Sequence, residues 1–235
     1  MPIVSLILLS SCAYQNELIN DPIDPLENRN RSIYAFNENL DKAILEPAAD
    51  GYNYITPNIL QKGFNNFFGN LNYPVTIINQ ALQGNIGESL QDTLRFTINS
   101  TVGVFGLFDP ATSMGLTEHD EDFGQTLAVW GVKEGPYLML PFLGPKTVRS
   151  LAGDLADILF NPLLNIDDTN LKIKTNLINI LQDRSDLSTL EEELDNSFDP
   201  YQYIKDSYIQ NRKYKINNGN ITEDEEEVDF DFDDF

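Results

Sequence analysis

Apolar side chains recur every three or four positions through most of this chain, and that spacing is the strongest constraint on its fold. Leu90, Leu94 and Ile98, for example, fall on one face of an α-helix, which repeats every 3.6 residues. The body of the chain is therefore predicted to be mainly α-helical. The same spacing appears at Ile33, Phe36, Leu40 and Ile44; Leu60, Phe64, Phe67, Phe68 and Leu71; Val148, Leu151, Leu155, Ile158 and Leu159; Leu177, Ile180 and Leu181; Leu187, Leu190 and Leu194; and Tyr201, Ile204 and Tyr208.

Prolines and glycines set the predicted ends of these helices. We expect Pro47 to stop the first helix and Pro162 to stop the helix that begins near residue 148, because proline lacks the N–H that a helix interior needs. Pro57 directly after Thr56 is typical of a helix start, with Thr56 as the N-cap. The stretch 69–74, with its glycine, asparagine and proline, is predicted to break that helix.

The segment from residue 101 to residue 145 differs in character from the rest. It is rich in glycine, proline and large apolar side chains without a helical period, as in "TVGVFGLFDPA" and "GVKEGPYLMLPFLGP". Glycine and proline at this density are typical of turns and irregular backbone. "QTLAVWGV" alternates as a short strand does, which leaves room for a hairpin. We therefore expect one helical domain over residues 22–216 with an irregular apolar centre.

The charge of the chain excludes one large class of partners. Its 235 residues carry 37 acidic and 15 basic side chains, and nine of the acids lie after residue 217 without a single base. Without those nine the net charge of −22 becomes −13, so the body is acidic in its own right. Phosphate backbones would repel such a surface, and no nucleic-acid partner is expected. Like charge at this density predicts a disordered tail over residues 217–235.

The start of the chain resembles a bacterial lipoprotein signal. A short apolar run leads into "LSSCA", where Cys12, the only cysteine, follows small residues as it does in a lipobox. We expect residues 1–11 to be a signal peptide, short at its start since no Lys or Arg precedes the apolar run. Cys12 is then the lipidation site and residues 12–21 a tether. Since no later stretch has the ~20 apolar residues of a spanning helix, the protein is predicted to be lipid-anchored. By analogy with known lipoproteins, Ala13 in place of aspartate after the cysteine favours the periplasmic side of the outer membrane.

The sequence "HDED" at residues 119–122 has the residue types of a metal or acid/base site. His119 is the only histidine, and Asp120, Glu121 and Asp122 follow it directly. Consecutive side chains point in different directions, however, and no second nitrogen or sulfur ligand is available for zinc. We therefore predict neither a metal site nor a catalytic site here, and favour a charged turn at a polar rim.

Four segments of the chain, taken in order, carry a family resemblance. They are "DPLENRNRSIYAFNENLD", "NNFFGNLNYPVTIINQALQG", "RFTINSTVGVFGLFDPA" and "HDEDFGQTLAVWGVKEGPYLMLPFLGPKTVRSLAGDLAD". In order and spacing they resemble the MlaA family, also called VacJ lipoproteins. The resemblance covers residues 24–157, whereas the helices after residue 172 agree only in pattern and the acidic tail is not part of it. The pair Asn28-Arg29 departs slightly, because the family usually has a glycine and an aromatic residue before Asn-Arg.

The resemblance implies a ring of helices in the inner leaflet of the outer membrane, around an amphipathic pore. Misplaced phospholipids leave the outer leaflet through such a pore, pass to a soluble periplasmic lipid carrier, and so maintain lipid asymmetry. Family members associate with trimeric porins. Neither a cofactor nor catalysis is implied. Two alternatives remain open at this stage: a structural lipoprotein that scaffolds porins, and a hydrolase that uses Asp120 or Glu121.

Aromatic side chains and glycines are the candidates for the lipid path. Adjacent aromatic and apolar pairs cannot all face one core, which favours lipid-facing side chains over a thick aromatic core, and glycine allows close backbone approach at a pore wall. The stretch 129–145 is the first choice for the pore lining or gate. Arg29, Arg31 and Arg95 fit carboxylate partners better than a phosphate headgroup. The lipid-path candidates are Phe67, Phe68, Gly103, Phe105, Gly106, Phe108, Trp130, Gly131, Gly135, Tyr137, Leu140 and Phe142.

Overall fold

A computed structural model describes residues 21–160, 169–187 and 191–220. The predictions for the signal peptide, for Cys12, for nearly all of the tether, for Pro162 and for the tail beyond residue 220 lie outside these residues. Within them, the predicted mainly α-helical class is confirmed.

The first helix continues past the proline that was expected to stop it. Helix α1, Glu27–Leu40, passes through a π-helical turn, Asp41–Leu45, into α2, Glu46–Ile55. Pro47 lies in the first turn of α2, where a missing N–H is tolerated. The wider turn before it has the N–H of Glu46 bonded to the carbonyl of Asp41, five residues back. The backbone therefore remains helical across the proline.

Helix α3, Asn58–Gln83, also runs through its predicted break. Pro74 lies inside this helix, and Thr56 ends α2 instead of capping α3. Proline in a helix interior removes one hydrogen bond to the residue four positions earlier. Burial of Phe68, Tyr73 and Val75 around that point, and the long contact of α3 with α4, Ile86–Thr101, offset that loss.

The segment "QTLAVWGV" was predicted to be a strand, and that prediction is wrong. It belongs to α6, Phe123–Val129, which follows the short α5, Pro110–Ser113, and is capped by the Asp122 side chain on the N–H of Gln125. A Cβ atom placed on Gly153 would lie 2.2 Å from the backbone nitrogen of Gly124. Two glycines thus let α6 pack backbone to backbone against the helix that carries Gly153, an approach that local alternation does not reveal.

The expected hairpin is present, but it lies in the segment predicted to be irregular. Strands β1, Tyr137–Leu140, and β2, Gly144–Thr147, pair antiparallel with Leu140 opposite Gly144. Helix α7, Val148–Asp157, follows directly and ends in the 3₁₀ turn Ile158–Phe160.

The rest of the described chain is helical, with α8 at Thr169–Leu187, α9 at Glu191–Asp195 and α10 at Pro200–Ile216. Helix α10 packs on the hairpin, where Tyr137, Met139 and Tyr201 form a small core. The ring of Tyr137 meets those of Tyr201 and Tyr208 edge to face, with centroids 6.3 and 6.1 Å apart. This core is aromatic but small.

Three helices are inverted relative to the helices of a water-soluble domain. On α4, Leu90 and Leu94 are 66% and 50% exposed, whereas Asp92, Arg95 and Asn99 are buried. Helix α7 exposes Leu155 and buries Arg149 and Ser150, and α8 exposes Leu177 and Ile180 but buries Gln182 and Ser185. Among the described residues, twenty polar or charged side chains are buried against nine apolar ones, so the interior is largely polar.

Candidate functional site

A tightly wound loop, residues 102–109, connects α4 to α5. Val104, Phe105 and Gly106 have consecutive left-handed backbone angles, with φ of 54°, 58° and 87°. Such angles are strained for a β-branched residue such as Val104. Backbone bonds hold the loop in place, from the N–H of Phe105 to Ser100 and from the N–H of Phe108 to Gly103. A Cβ atom on Gly106 would lie 2.5 Å from that of Asn70, so the loop is pressed onto α3.

The strained backbone turns apolar side chains outward. Phe105 is 76% exposed and Phe108 60% exposed, and Val102, Val104 and Leu107 are exposed beside them. This apolar surface continues the exposed stripe of α4. Large contiguous apolar patches on a protein mark a protein interface or a membrane contact.

A polar cavity of about 300 Å³ lies beside this loop, and we term it the loop cavity. Its wall includes Asn66 and Asn70 from α3, Arg95 from α4, and Asp109 and Glu118. Asn66 donates its amide to the carbonyl of Leu107 at 3.3 Å, which places the cavity directly against the apolar loop. The polar lining of the cavity and the exposed apolar side chains of the loop are therefore adjacent.

Arg95 is buried and fully engaged within the protein. Its guanidinium donates to the Tyr73 hydroxyl at 2.5 Å, to Thr112 and the carbonyl of Leu116, and to Asp109 at 2.6 Å. Burial opposes its charge, but Tyr73 and Asp109 outweigh that effect and raise the pKa of Arg95. The predicted carboxylate pairing is confirmed for Arg95 and for Arg31, which pairs with Asp199.

Two further cavities, lined by many polar side chains, follow the loop cavity in a row. The central cavity, about 470 Å³, shares Glu118 with it, and the α7 cavity, about 220 Å³, shares Asp120 and Glu121 with the central one. Seven carboxylates from three segments (α4, residues 118–122 and α7) line these two cavities, and Lys215 is the one lysine or arginine among their lining residues. These carboxylates are Glu88, Glu118, Asp120, Glu121, Asp122, Asp154 and Asp157.

The four side chains of the "HDED" segment bond to different partners and do not form one cluster. His119 pairs with Asp92 on α4 at 2.9 Å, and Glu121 accepts a bond from Gln83 on α3. Asp120 pairs with Lys215, and Asp122 with Arg212, both on α10. His119 is half-buried in this network and is not the free surface histidine that the sequence suggested. Four neighbours thus fasten three helices, and they do not converge on one substrate atom or ion.

Burial raises the pKa values of these carboxylates, whereas ion pairing lowers them. Burial would raise the pKa of Asp122, but the Arg212 guanidinium and the N–H of Gln125 outweigh it and lower that pKa. Burial raises the pKa of Asp92 against the opposing effect of His119. Burial likewise raises the pKa of Glu121, and its acidic neighbours Asp122 and Asp120 add to the effect.

Two asparagines of α1 tie the hairpin to that helix. Asn30 donates its amide to the carbonyl of Tyr137 at 3.2 Å and accepts the backbone N–H of Met139 at 3.0 Å, both on β1. Asn37 donates its amide to the carbonyl of Leu140 at 2.9 Å and accepts the backbone N–H of Phe142 at 3.0 Å. The Phe142 ring, which is exposed, meets Phe36 edge to face with centroids 5.6 Å apart. The tip of the hairpin is therefore apolar and secured at one point.

The predicted lipid-path residues fall into distinct places. Phe105, Phe108, Trp130 and Phe142 are exposed, and Leu140 is half-buried in β1. Phe68 and Tyr137 are instead buried, where they pack against neighbouring rings, with Phe67 half-buried beside Phe68. The glycines take turn or contact positions: Gly103 and Gly106 in the 102–109 loop, Gly131 after α6, and Gly135 before β1.

None of these residues contributes to the walls of the three cavities. The lining residues missed from sequence include Asn70, Asn99 and Glu118. The sequence does contain a pattern that includes Asn99. Asp92, Arg95 and Asn99 recur at helical spacing and form a polar stripe on α4. Periodicity alone does not indicate which of the two stripes of this helix faces inward.

The described residues contain neither a membrane-spanning helix nor a metal-binding cluster. No helix among them combines the length and the hydropathy that crossing a bilayer requires. No group of three or more histidine, cysteine, aspartate or glutamate side chains in the described ranges is arranged to hold a metal ion.

Comparison with known proteins identifies the family. The model of the MlaA lipoprotein family matches residues 22–215. The chain belongs to the MlaA lipoprotein family. This assignment agrees with the resemblance seen in the sequence, and it extends over the helices that matched only in pattern.

Several MlaA relatives resemble this chain over most of their length. The Escherichia coli (strain K12) protein named "Intermembrane phospholipid transport system lipoprotein MlaA" is 33% identical over 219 residues, which is 91% of this chain and 86% of that protein. An uncharacterized protein of Rickettsia bellii (strain RML369-C) is 36% identical over 195 residues, 82% of this chain and 76% of that one. A solved structure reported as "Structural basis for maintenance of bacterial outer membrane lipid asymmetry" matches with a TM-score of 0.74 and 32% identity, over 82% of this chain and 98% of that chain.

Proposed function

We propose that this chain is an outer-membrane lipoprotein that removes phospholipids from the outer leaflet and passes them to a soluble periplasmic carrier. The observation that carries the proposal is the inverted arrangement of its helices, with apolar stripes outward and a string of polar cavities inside. The names of MlaA relatives from Escherichia coli and Haemophilus influenzae, which describe a phospholipid transport role, support it.

The exposed leucines of α4 and α7 suit contact with acyl chains. In water, each large apolar side chain left exposed forgoes about 1.5–3 kcal/mol of burial free energy. Acyl chains are as apolar as leucine, so a protein embedded in one leaflet regains that energy without a larger core. Lipidation of Cys12 would hold the chain at this depth.

The polar cavities suit a headgroup, and the loop and hairpin suit its tails. A phospholipid in transit needs a polar lining beside an apolar surface. The loop cavity next to Phe105 and Phe108 provides both within a short distance. The stretch 129–145, predicted as the gate, contains the tip of the hairpin, which Asn37 bonds to α1, whereas Asn30 bonds to strand β1 behind the tip. We infer that this hairpin gates the path.

Trimeric porins and the periplasmic carrier are the proposed partners. The exposed ends of α2 and α3 present Tyr54, Ile55 and Ile59 beyond the α4 stripe, and these side chains provide an apolar surface for a porin wall. The polar, acidic side of the chain is then left for the carrier. No catalytic step is part of this proposal.

Complementation tests the proposal directly. The full chain is expressed in an Escherichia coli strain that lacks its own MlaA lipoprotein, and outer-leaflet phospholipid and survival in detergent with EDTA are measured. We expect both to return towards wild type with the native chain, and not with Cys12→Ser, which removes the anchor. Unchanged outer-leaflet phospholipid in cells that contain the anchored chain would refute the transport role.

The scaffolding alternative predicts a different outcome. A structural lipoprotein would still copurify with a porin on native gels, yet mass spectrometry of the complex would find no phospholipid bound to it. Retained lipid together with restored asymmetry supports transport.

A further inference from the structure

The loop cavity has one buried acceptor without a partner. Asn70 is 4% exposed and lines the cavity, and its side-chain oxygen accepts no hydrogen bond from the described residues. Its amide nitrogen is already used, since it donates to Ser100 at 2.9 Å. The group that Asn70 lacks is therefore a hydrogen-bond donor, because an unsatisfied buried oxygen is unfavourable.

The charges of the cavity wall also favour a cation. Arg95 is the only base among its lining residues, and its guanidinium is occupied by Tyr73, Thr112, Leu116 and Asp109. Glu118 is 65% exposed at the rim, and its one ion-pair contact among the described residues is a 3.5 Å approach to Arg95. With Arg95, Asp109 and Glu118 all ionised, the lining carries a net charge of −1. A phosphate group would meet no free arginine or lysine on this wall.

The neighbouring central cavity has the same character. It shares Glu118 with the loop cavity and adds Glu88, Asp120 and Glu121, against Lys215 alone among lysines and arginines. Lys215 pairs with Asp120 at 2.5 Å, so Glu88 and Glu121 face that cavity without a described ion-pair partner. The route away from the loop cavity is therefore acidic as well.

We propose that the loop cavity binds the ammonium group of a zwitterionic phospholipid headgroup, with Asn70 as hydrogen-bond acceptor and Glu118 as counter-charge. This rests on the proposed transport function and narrows its substrate class. A primary ammonium has three N–H donors and suits both groups, whereas a glycerol headgroup leaves the phosphate charge unbalanced beside Glu118. The acyl chains would lie along the adjacent exposed side chains of Phe105 and Phe108.

Competition between short-chain lipids tests this selectivity. The full chain, purified in a non-ionic detergent, is given equal amounts of dihexanoyl phosphatidylethanolamine and dihexanoyl phosphatidylglycerol, and native mass spectrometry counts what is retained. We expect a preference for the ethanolamine lipid of about three-fold, the size of one partly exposed charge contact. Glu118→Gln should bring the ratio close to one, and Glu118→Lys should reverse it.

Two controls separate the causes. Asp50→Asn removes an exposed carboxylate on α2 that lines none of the three cavities, and it should leave the ratio unchanged. Phosphatidylcholine carries the same charges without N–H donors, so equal retention of the choline and ethanolamine lipids would overturn the role of Asn70. Binding without headgroup preference overturns this inference alone, whereas failure to bind any of the three lipids overturns the transport function with it.

Discussion

Asn37 accepts a hydrogen bond from the backbone N–H of Phe142, 3.0 Å away, so helix α1 holds the tip of the β-hairpin. The same amide donates to the carbonyl of Leu140, on the other side of the turn. Asn37 therefore fixes the hairpin tip against α1, while Asn30 holds strand β1 to the same helix.

Replacing Asn37 with alanine should free the tip of the hairpin without unfolding the protein, because Asn30 still holds strand β1 on α1. Two hydrogen bonds are lost, which lowers the free energy of local opening by about 2 kcal/mol. Amide hydrogen exchange of residues 138–145 should accelerate accordingly. Asn39→Ala is the matched control, because Asn39 bonds only to the Ala35 carbonyl of its own helix. Equal exchange in both variants would show that Asn37 does not secure the tip.

On helix α4, replacing an apolar side chain should lower the free energy of unfolding less than replacing a polar one does. A helix of a water-soluble protein is expected to show the reverse. Leu94→Asn should change the free energy of unfolding in detergent-free buffer by less than about 0.5 kcal/mol, since the side chain is half exposed to water there. Asn99→Leu should destabilise by about 2–3 kcal/mol, because Asn99 bonds to Asp109 and to the N–H of Ala111. Chemical denaturation of both variants checks this, and a reversed order would contradict the inverted arrangement.

The pair between Arg212 and Asp122 should contribute strongly to stability. Arg212 is buried, and its removal leaves the Asp122 carboxylate largely uncompensated, at a cost of about 3 kcal/mol in Arg212→Met. Lys42→Met breaks an exposed pair with Glu38 and should cost far less, because solvent screens that pair. Urea titrations compare the two, and similar losses would argue against a structural role for the 119–122 segment.

The contribution of the Arg212–Asp122 pair to the free energy of unfolding should disappear at acidic pH. The pKa of Asp122 is lowered in the folded protein from its ordinary 3.8, so its ion pair stabilises fully above that value. As the pH falls through the lowered folded pKa, Asp122 takes up a proton and the stabilisation is lost. The stability difference between the native chain and Arg212→Met should therefore be constant from pH 7 to about 5 and shrink below 3.8. A difference that persists at pH 2.5 would point to packing instead of charge.

Trp130 offers a direct measure of lipid contact. It is the only tryptophan and is 54% exposed, with its ring nitrogen donating to the carbonyl of Leu82. In vesicles of brominated phospholipid its fluorescence should be quenched, since bromine quenches at contact. Phe105→Trp in a Trp130→Phe background should be quenched at least as strongly. Quenching by aqueous iodide with none by bromolipid would place these side chains in water.

The positions of the helices could be predicted from the sequence, because helical periodicity is a local property of the chain. The face that each helix turns inward could not be predicted. The stripe of Leu90 and Leu94 predicts α4 correctly, but periodicity is the same whichever stripe faces inward. Only the solvent around the protein decides that choice. The burial of Arg95 and Asn99 is therefore what the sequence analysis could not foresee.

The remaining differences come from contacts between distant residues. Pro74 was expected to end a helix, yet α3 continues because it packs along the whole of α4. The strand predicted around Gln125 became helix α6 because Gly124 meets Gly153, nearly thirty residues away. The cavity residues Asn70 and Glu118 come from separate segments, and no local pattern joins them.

Helix α10 is fastened at both of its ends. Near its start, Asp199 pairs with Arg31, and Lys205 reaches Asp21 and Asp24, while near its finish Arg212 and Lys215 hold Asp122 and Asp120. Shortening the chain to study its acidic extension must therefore leave everything up to residue 220 in place. A cut only a few positions earlier, before Lys215, would remove its pair with Asp120 and part of the wall of the central cavity.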